Sequence, residues 1–193
     1  MARMSTLQDT PTGYGTVTRA LHWGMAALFA WQFASAILRV VAEDTAIEKF
    51  FWSTHYSVGF TLWVLVLLRG AWGLANLRRR PRPEGSAAVA RAARLGHLAL
   101  YLLMIAVPSL ALLRSAGSGR GLTVWGVEVI ARGGEQVRAL TAPGSALHAP
   151  LGWALLVLIV GHVAMALWHG HVRGDATLTR MTRGSSDRPA AQA

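Results

Sequence analysis

The sequence predicts an all-α integral membrane protein: a bundle of four transmembrane helices with both termini in the cytoplasm. Three observations predict it. Apolar residues make up 53% of the 193 positions, and they fall into four runs near the ~20 residues needed to cross a bilayer. Charge is confined to the segments between those runs. The net charge of +10 comes almost wholly from arginine, which flanks the runs on one side in the positive-inside manner.

The spans are expected at about 17–41, 50–74, 95–114 and 147–172. The first follows a polar stretch, contains His22 and lacks a small-residue cleavage site at its end, so it reads as a retained span and not a signal peptide. Connection 76–94 carries Arg78, Arg79, Arg80, Arg82, Arg91 and Arg94 against Glu84, and belongs inside. Pro81-Arg82-Pro83 and Gly85-Ser86 mark it as loop. Connection 42–49, with Glu43, Asp44, Glu48 and Lys49, belongs outside. Connection 115–146 is mixed, with Arg120, Arg132 and Arg138 against Glu128 and Glu135, and falls outside in the four-span arrangement, where its mild basic excess is the one exception. Within it, 121–130 reads either as a short strand or as an interfacial segment.

Trp23, Trp52, Trp72 and Trp168 sit near the expected interfaces, as an aromatic belt would. Ser145 is placed to cap the fourth helix, with Pro150 in its first turn, and Pro108 interrupts the third. One membrane domain thus covers 1–182. Residues 183–193 read as a disordered tail.

Composition also excludes chemistry. With no cysteine, thiolate iron–sulfur and zinc sites, CxxCH haem attachment and disulfides are ruled out. Arginines that flank apolar runs argue against nucleic acid as the partner and for the lipid bilayer.

The chemistry-bearing residues are histidines. His148 and His162 lie fourteen residues apart in an uncharged run, on one helix face and roughly 21 Å apart along it. Imidazoles in a membrane helix are costly unless something engages them. Topology sorts four histidines into two levels: His55 with His148 outside, and His22 with His162 inside. Each level pairs one ring of the fourth span with one from another span. This is the layout for two noncovalent bis-histidine haems, whereas a zinc site wants three or four ligands at one level. Gly59 and Gly152, each four residues after an outer histidine, leave room for a porphyrin, or serve helix packing. Arg69 shares the His55 face at the inner level. It suits a haem propionate, or it snorkels. His97 and His169 lie at the inner boundary, where they could hydrogen-bond a quinone headgroup or face lipid headgroups. His171 is expected to be solvated.

Taken in order, several segments resemble the bacterial four-helix cytochrome b561 family. They are Ala20-Leu21-His22-Trp23, then Thr54-His55 with Gly59 and Arg69, then Leu95-Gly96-His97-Leu98 with Tyr101-Leu102-Leu103 and Pro108. His148, Gly161-His162, His169, Asp175, Thr177-Leu178 and Arg180-Met181 complete the series. The resemblance runs from Tyr14 to Met181. It implies an inner-membrane bundle with two b-type haems, His22 and His162 holding one and His55 and His148 the other, with His97 and His169 near a quinone site. A branch of that family oxidises superoxide at the periplasmic face and reduces ubiquinone, and this chain is similar in length and in lacking a fused domain. Ala149 departs from the acidic residue common after the His148 position, Trp168 replaces a histidine found in some members, and His171 is extra.

Two functions follow as expectations. The first is an enzyme, a superoxide:ubiquinone oxidoreductase (superoxide oxidase), with Arg114, Arg120, Arg132 and Arg138 either attracting the anion or simply solvated. The second is a cytochrome b anchor or relay subunit of a larger dehydrogenase or hydrogenase. A small transporter with histidines in a proton path is a third reading, and it predicts no haem.

Overall fold

A computed structural model of the chain describes residues 7–81 and 86–184. Its helices are α1 (Thr16–Val41), α2 (Ala46–Ser53), α3 (His55–Ala75), α4 (Ala87–Gly117), α5 (Arg138–Trp168) and α6 (Thr177–Thr182). A π-helical turn, His169–Arg173, joins the last two. Four stretches are long and apolar enough to cross a membrane: Thr16–Val41, Ala46–Ala75, Ala87–Gly117 and Arg138–Arg173. The four-span reading therefore holds. From 185 onward, the expected disordered tail lies outside the described residues, as do Arg82, Pro83, Glu84 and Gly85 of the basic connection.

Element boundaries differ from expectation for local reasons. The third span starts at Ala87, eight residues earlier than 95. The stretch 87–94 is rich in alanine, the strongest helix former, and the Ser86 hydroxyl accepts from the Val89 N–H. Arg91 and Arg94 thus sit on a helix and not in a loop. The helix continues past Pro108. The second span starts with α2, capped by the Thr45 hydroxyl accepting from the Glu48 N–H. Sequence places Glu48 at the end of the outer connection 42–49. It is fully buried, its carboxylate 3.1 Å from the Arg39 guanidinium, because the α2 turn carries it inward to that cation.

The largest revision concerns the fourth span, which begins at Arg138 and not near 147. Ser145 is therefore not a cap, and Pro143 and Pro150 both lie inside α5. Close packing explains the extension. A Cβ added at Gly144 would come within 2.7 Å of the Arg114 Cβ and meet the Leu110 carbonyl oxygen head-on. A Cβ at Gly117 would strike the Leu140 side chain and lie 3.1 Å from the Val137 carbonyl oxygen. Two glycines let α4 and α5 touch backbone to backbone, and the contact holds the early turns of α5 helical.

Segment 121–130 resolves as a hairpin, β1 (Leu122–Val124) antiparallel to β2 (Val127–Ile130). Both central turn residues have positive φ, Trp125 at 48° and Gly126 at 85°, the type I′ geometry that matches strand twist. Leu122 faces Ile130, Thr123 faces Glu128 and Val124 faces Val127, with a bulge between Leu122 and Thr123. The hairpin is tied to α3 through Trp125, whose backbone N–H donates to the Ser57 hydroxyl at 3.1 Å and whose indole N–H donates to Thr61 at 3.0 Å.

The described residues fall into two compact units. One comprises Met1–Gly24, Leu68–His97 and Val160–Ala193; the other comprises Met25–Leu67 and Leu98–Ile159. In the first, the buried Asp9 carboxylate accepts from the Gly15 N–H and pairs with Arg80, and the Trp72 indole donates to the buried Thr18 hydroxyl. The Trp23 indole donates to the Met181 carbonyl. The second unit holds the apolar core: Met25, Val58, Leu62, Val66, Leu100, Met104 and Leu155.

Gly144→Ala is expected to cost about 1–3 kcal/mol by forcing α4 and α5 apart. A lowered unfolding temperature in detergent checks this, and an unchanged one would remove the packing account of the longer helix.

Candidate functional site

In the second unit, α3 opens with His55, and α5 carries His148. Their ring centroids lie 6.4 Å apart. Both rings line a cavity of about 640 Å³, within the roughly 300–1,000 Å³ range of cofactor sites. Phe29, Phe33, Met104 and Leu155 supply apolar wall, and Arg114, Arg120 and Arg132 supply charge.

The hydrogen bonds decide which nitrogen of each ring is free. The His148 Nδ1 lies 3.0 Å from the Val107 carbonyl oxygen. A carbonyl only accepts, so Nδ1 carries the proton and Nε2 keeps its lone pair. The His55 Nδ1 lies 2.7 Å from the Ser35 hydroxyl, and its Nε2 lies 3.2 Å from the Gln32 amide nitrogen. Trp52 stacks on the His55 ring, with centroids 4.5 Å apart and planes 26° apart. Sequence reading missed Ser35 and Gln32. The available signal was two polar residues three apart, hence neighbours on one helix face, inside an apolar span.

Gly59, expected to clear a porphyrin, lies in the cavity wall. A Cβ there would sit 3.2 Å from the Gln32 amide nitrogen. Gly152 faces open space, with nothing within 4 Å of a built Cβ. Of the four arginines expected near this face, Arg138 begins α5 and is not among the cavity-lining residues.

In the first unit, α1 brings His22 and α5 brings His162, with ring centroids 6.2 Å apart. His97, on α4, approaches His162 to 5.3 Å between centroids, and its Nδ1 donates to the Ala93 carbonyl. Arg69 directs Nη2 at the His22 Nδ1, 3.3 Å away. His169, the other residue expected near a quinone, donates from Nδ1 to the Asp175 carboxylate at 2.5 Å. The other Asp175 oxygen accepts from the Thr177 N–H and so opens α6. Burial pushes the Asp175 carboxyl up, but hydrogen bonds from Thr177 and His169 outweigh it and hold the pKa down at about 2. His171 is exposed, its Nδ1 donating to the Leu167 carbonyl.

These distances allow a test of fit for haem. Metal–imidazole bonds of about 2.0 Å, with each centroid about 1.15 Å behind its nitrogen, put the two rings on one iron about 6.3 Å apart. The separations of 6.2 and 6.4 Å bracket that value, while the His97–His162 separation of 5.3 Å is too short for an iron between. Among the described residues no group of three or more His, Asp or Glu side chains could hold a metal ion. The donor set suits a group that takes two imidazoles, one per face.

Comparison with known proteins agrees. A sequence model of prokaryotic cytochrome b561 matches residues 13–184. Cytochrome b561 homolog 2 of Escherichia coli (strain K12) is 33% identical over 180 residues, covering 92% of this chain and 95% of that one. Cytochrome b561 homolog 1 of the same organism is 28% identical over 164 residues, covering 83% and 92%. Cytochrome b562 of Cereibacter sphaeroides is 27% identical over 180 residues, covering 89% and 96%.

The Asp175 pKa lies below its ordinary 3.8, so the carboxylate contributes stability that is fully present above about pH 4 and is lost as pH falls through about 2. The His169 Nδ1–H resonance is therefore expected to persist at neutral pH and to disappear towards pH 2, and Asp175→Asn should shift it at neutral pH. A wild-type resonance that vanished near pH 6 would contradict this.

Proposed function

The chain belongs to the prokaryotic cytochrome b561 family, and from that membership we propose that it is a diheme b-type cytochrome passing electrons from superoxide at the periplasmic side to ubiquinone. The family identity itself makes it a multi-pass protein of the bacterial inner membrane and a haem-based electron carrier. The proposal adds the number of haems, their ligands, the donor, the acceptor and the orientation, with both termini cytoplasmic and one membrane domain over 1–182.

The observation that carries it is the pair of ring separations, 6.2 Å for His22 with His162 and 6.4 Å for His55 with His148. Each matches two imidazoles on one iron. When bound, each b-type haem supplies a reversible one-electron couple.

The residues divide the remaining work. His55 and His148 hold the periplasmic-side group, with Gly59 and Gly152 leaving space for it. His22 and His162 hold the cytoplasmic-side group, and Arg69 would neutralise a propionate there. Arg114, Arg120 and Arg132, on the wall of the His55–His148 cavity, raise the local concentration of an anionic donor such as superoxide. His97 and His169 serve the quinone. A ring whose Nδ1–H is held by Ala93 or Asp175 offers Nε2 for hydrogen bonding and proton exchange with a quinone carbonyl. Overall, two superoxide ions yield two O₂ while one ubiquinone takes up two electrons and two protons to give ubiquinol.

Haemochrome assay of the purified protein is expected to give two haems per chain, and a single haem would overturn the architecture. His55→Ala or His148→Ala should each remove one haem and leave the other, with the reduced-minus-oxidised b-type spectrum roughly halved. Loss of the same haem in His22→Ala would break the pairing.

Under a superoxide flux the loaded protein should reduce added ubiquinone. His97→Ala should keep both haems and slow that reduction by at least about tenfold. A protein with two haems that superoxide fails to reduce would be the anchor or relay subunit of a larger dehydrogenase or hydrogenase instead.

A further inference from the structure

We propose that Ser35 is a positioning residue that fixes the proton and the aim of His55, and through them the redox potential of one haem. The proposal rests on the reading above, in which His55 is an iron ligand.

Ser35 sits on α1 and is 0% exposed, so water cannot substitute for it. A hydroxyl has one proton, and the position of this one is determined. Ser35 Oγ lies 2.6 Å from the Gln32 carbonyl oxygen, which can only accept. The hydroxyl therefore donates there and turns its lone pairs to the His55 Nδ1 at 2.7 Å. Nδ1 must carry the ring proton, and Nε2 is left with the lone pair that an iron would take.

Gln32 reports the same tautomer independently. Its amide nitrogen lies 3.2 Å from the His55 backbone carbonyl, an obligatory acceptor, so this atom is the NH₂ and not the oxygen. The same nitrogen lies 3.2 Å from the His55 Nε2. An NH₂ can donate to Nε2 only if Nε2 is unprotonated. Trp52, stacked 4.5 Å from the ring centroid, holds the imidazole plane.

The consequence is electronic. A ligating imidazole that donates its far N–H to an acceptor is more basic, and a more basic ligand favours the oxidised, more positive iron. The opposing ligand, His148, has a backbone carbonyl for this partner. Ser35 is thus a side chain through which substitution can tune this site.

The test is a spectroscopic redox titration of the wild-type holoprotein, Ser35→Ala and Ser35→Thr. In Ser35→Ala one of the two midpoint potentials should rise, making that haem about tenfold more reduced at the wild-type midpoint, a shift of about 59 mV. The other midpoint should stay. Ser35→Thr keeps the acceptor and should retain both wild-type values. If Ser35→Ala does not assemble, Ser35→Cys, a weaker acceptor of similar size, should show the same one-sided rise.

Two haems with both midpoints unchanged in the alanine or cysteine variant would overturn the proposal. So would equal shifts in Ser35→Ala and Ser35→Thr, which would make the effect one of packing. A wild-type protein holding no haem would fell the underlying reading as well, so the two failures are distinguishable.

Discussion

A neutral imidazole inside a membrane-spanning helix brings one N–H and one lone pair, and neither can be left to water. A buried polar group without a partner costs a few kcal/mol, so a helix that carries two histidines needs the surrounding protein to engage each ring. For His148 the partner is the Val107 carbonyl on α4. That bond exists because α4 and α5 approach at glycine: Gly144, one turn before His148, packs on Leu110, one turn after Val107. A missing Cβ thus sets a helix spacing, the spacing brings a carbonyl to Nδ1, and the bond leaves the Nε2 of this cavity-lining residue with its lone pair. The early start of α5 belongs to the same chain of causes.

The two histidine pairs are finished differently. In the unit containing His55 and His148, both Nδ1 atoms donate to oxygen. In the unit containing His22 and His162, the His22 Nδ1 instead accepts from Arg69 at 3.3 Å, which places the His22 proton on Nε2. Binding a metal through that Nε2 would send the proton to Nδ1 and turn the Arg69 guanidinium away. A propionate is the anion that would receive it. The contact with His22 thus favours the role proposed for Arg69: the cation is already beside the ring whose loading would release it.

Much of this was legible in the sequence, and the boundary is physical. Apolar run length and arginine placement are enough for four spans because hydrocarbon thickness is a one-dimensional constraint. The spacing of His148 and His162, with His22 and His55, is enough to sort the rings into pairs because a helix converts sequence separation into depth. What failed to show was what depends on contact between distant segments. Ser145 looks like a cap until Gly144 is seen against Leu110. Ser35 is an unremarkable polar residue until His55 is beside it. His97 and His169 share a depth by spacing, but spacing could not show that His162 lies beside the one and Asp175 beside the other, because depth does not specify azimuth around the helix axis. The hairpin was ambiguous because its turn depends on Trp125 adopting a positive φ, which a bulky residue rarely does.

The arginines bear on the donor proposed above. Arg114, Arg120 and Arg132 come from the end of α4 and from the segments on either side of the hairpin, yet all three reach the wall of one cavity that also holds two imidazoles. The Glu128 carboxylate accepts from the Arg132 backbone N–H. Exposed cations gathered on an apolar concavity focus a positive field into it, and that field acts on the rate at which an anion arrives more than on how tightly it binds. Such steering is screened by salt, because the charges are exposed. The charge arrangement is therefore one that would speed the arrival of the anionic donor proposed above.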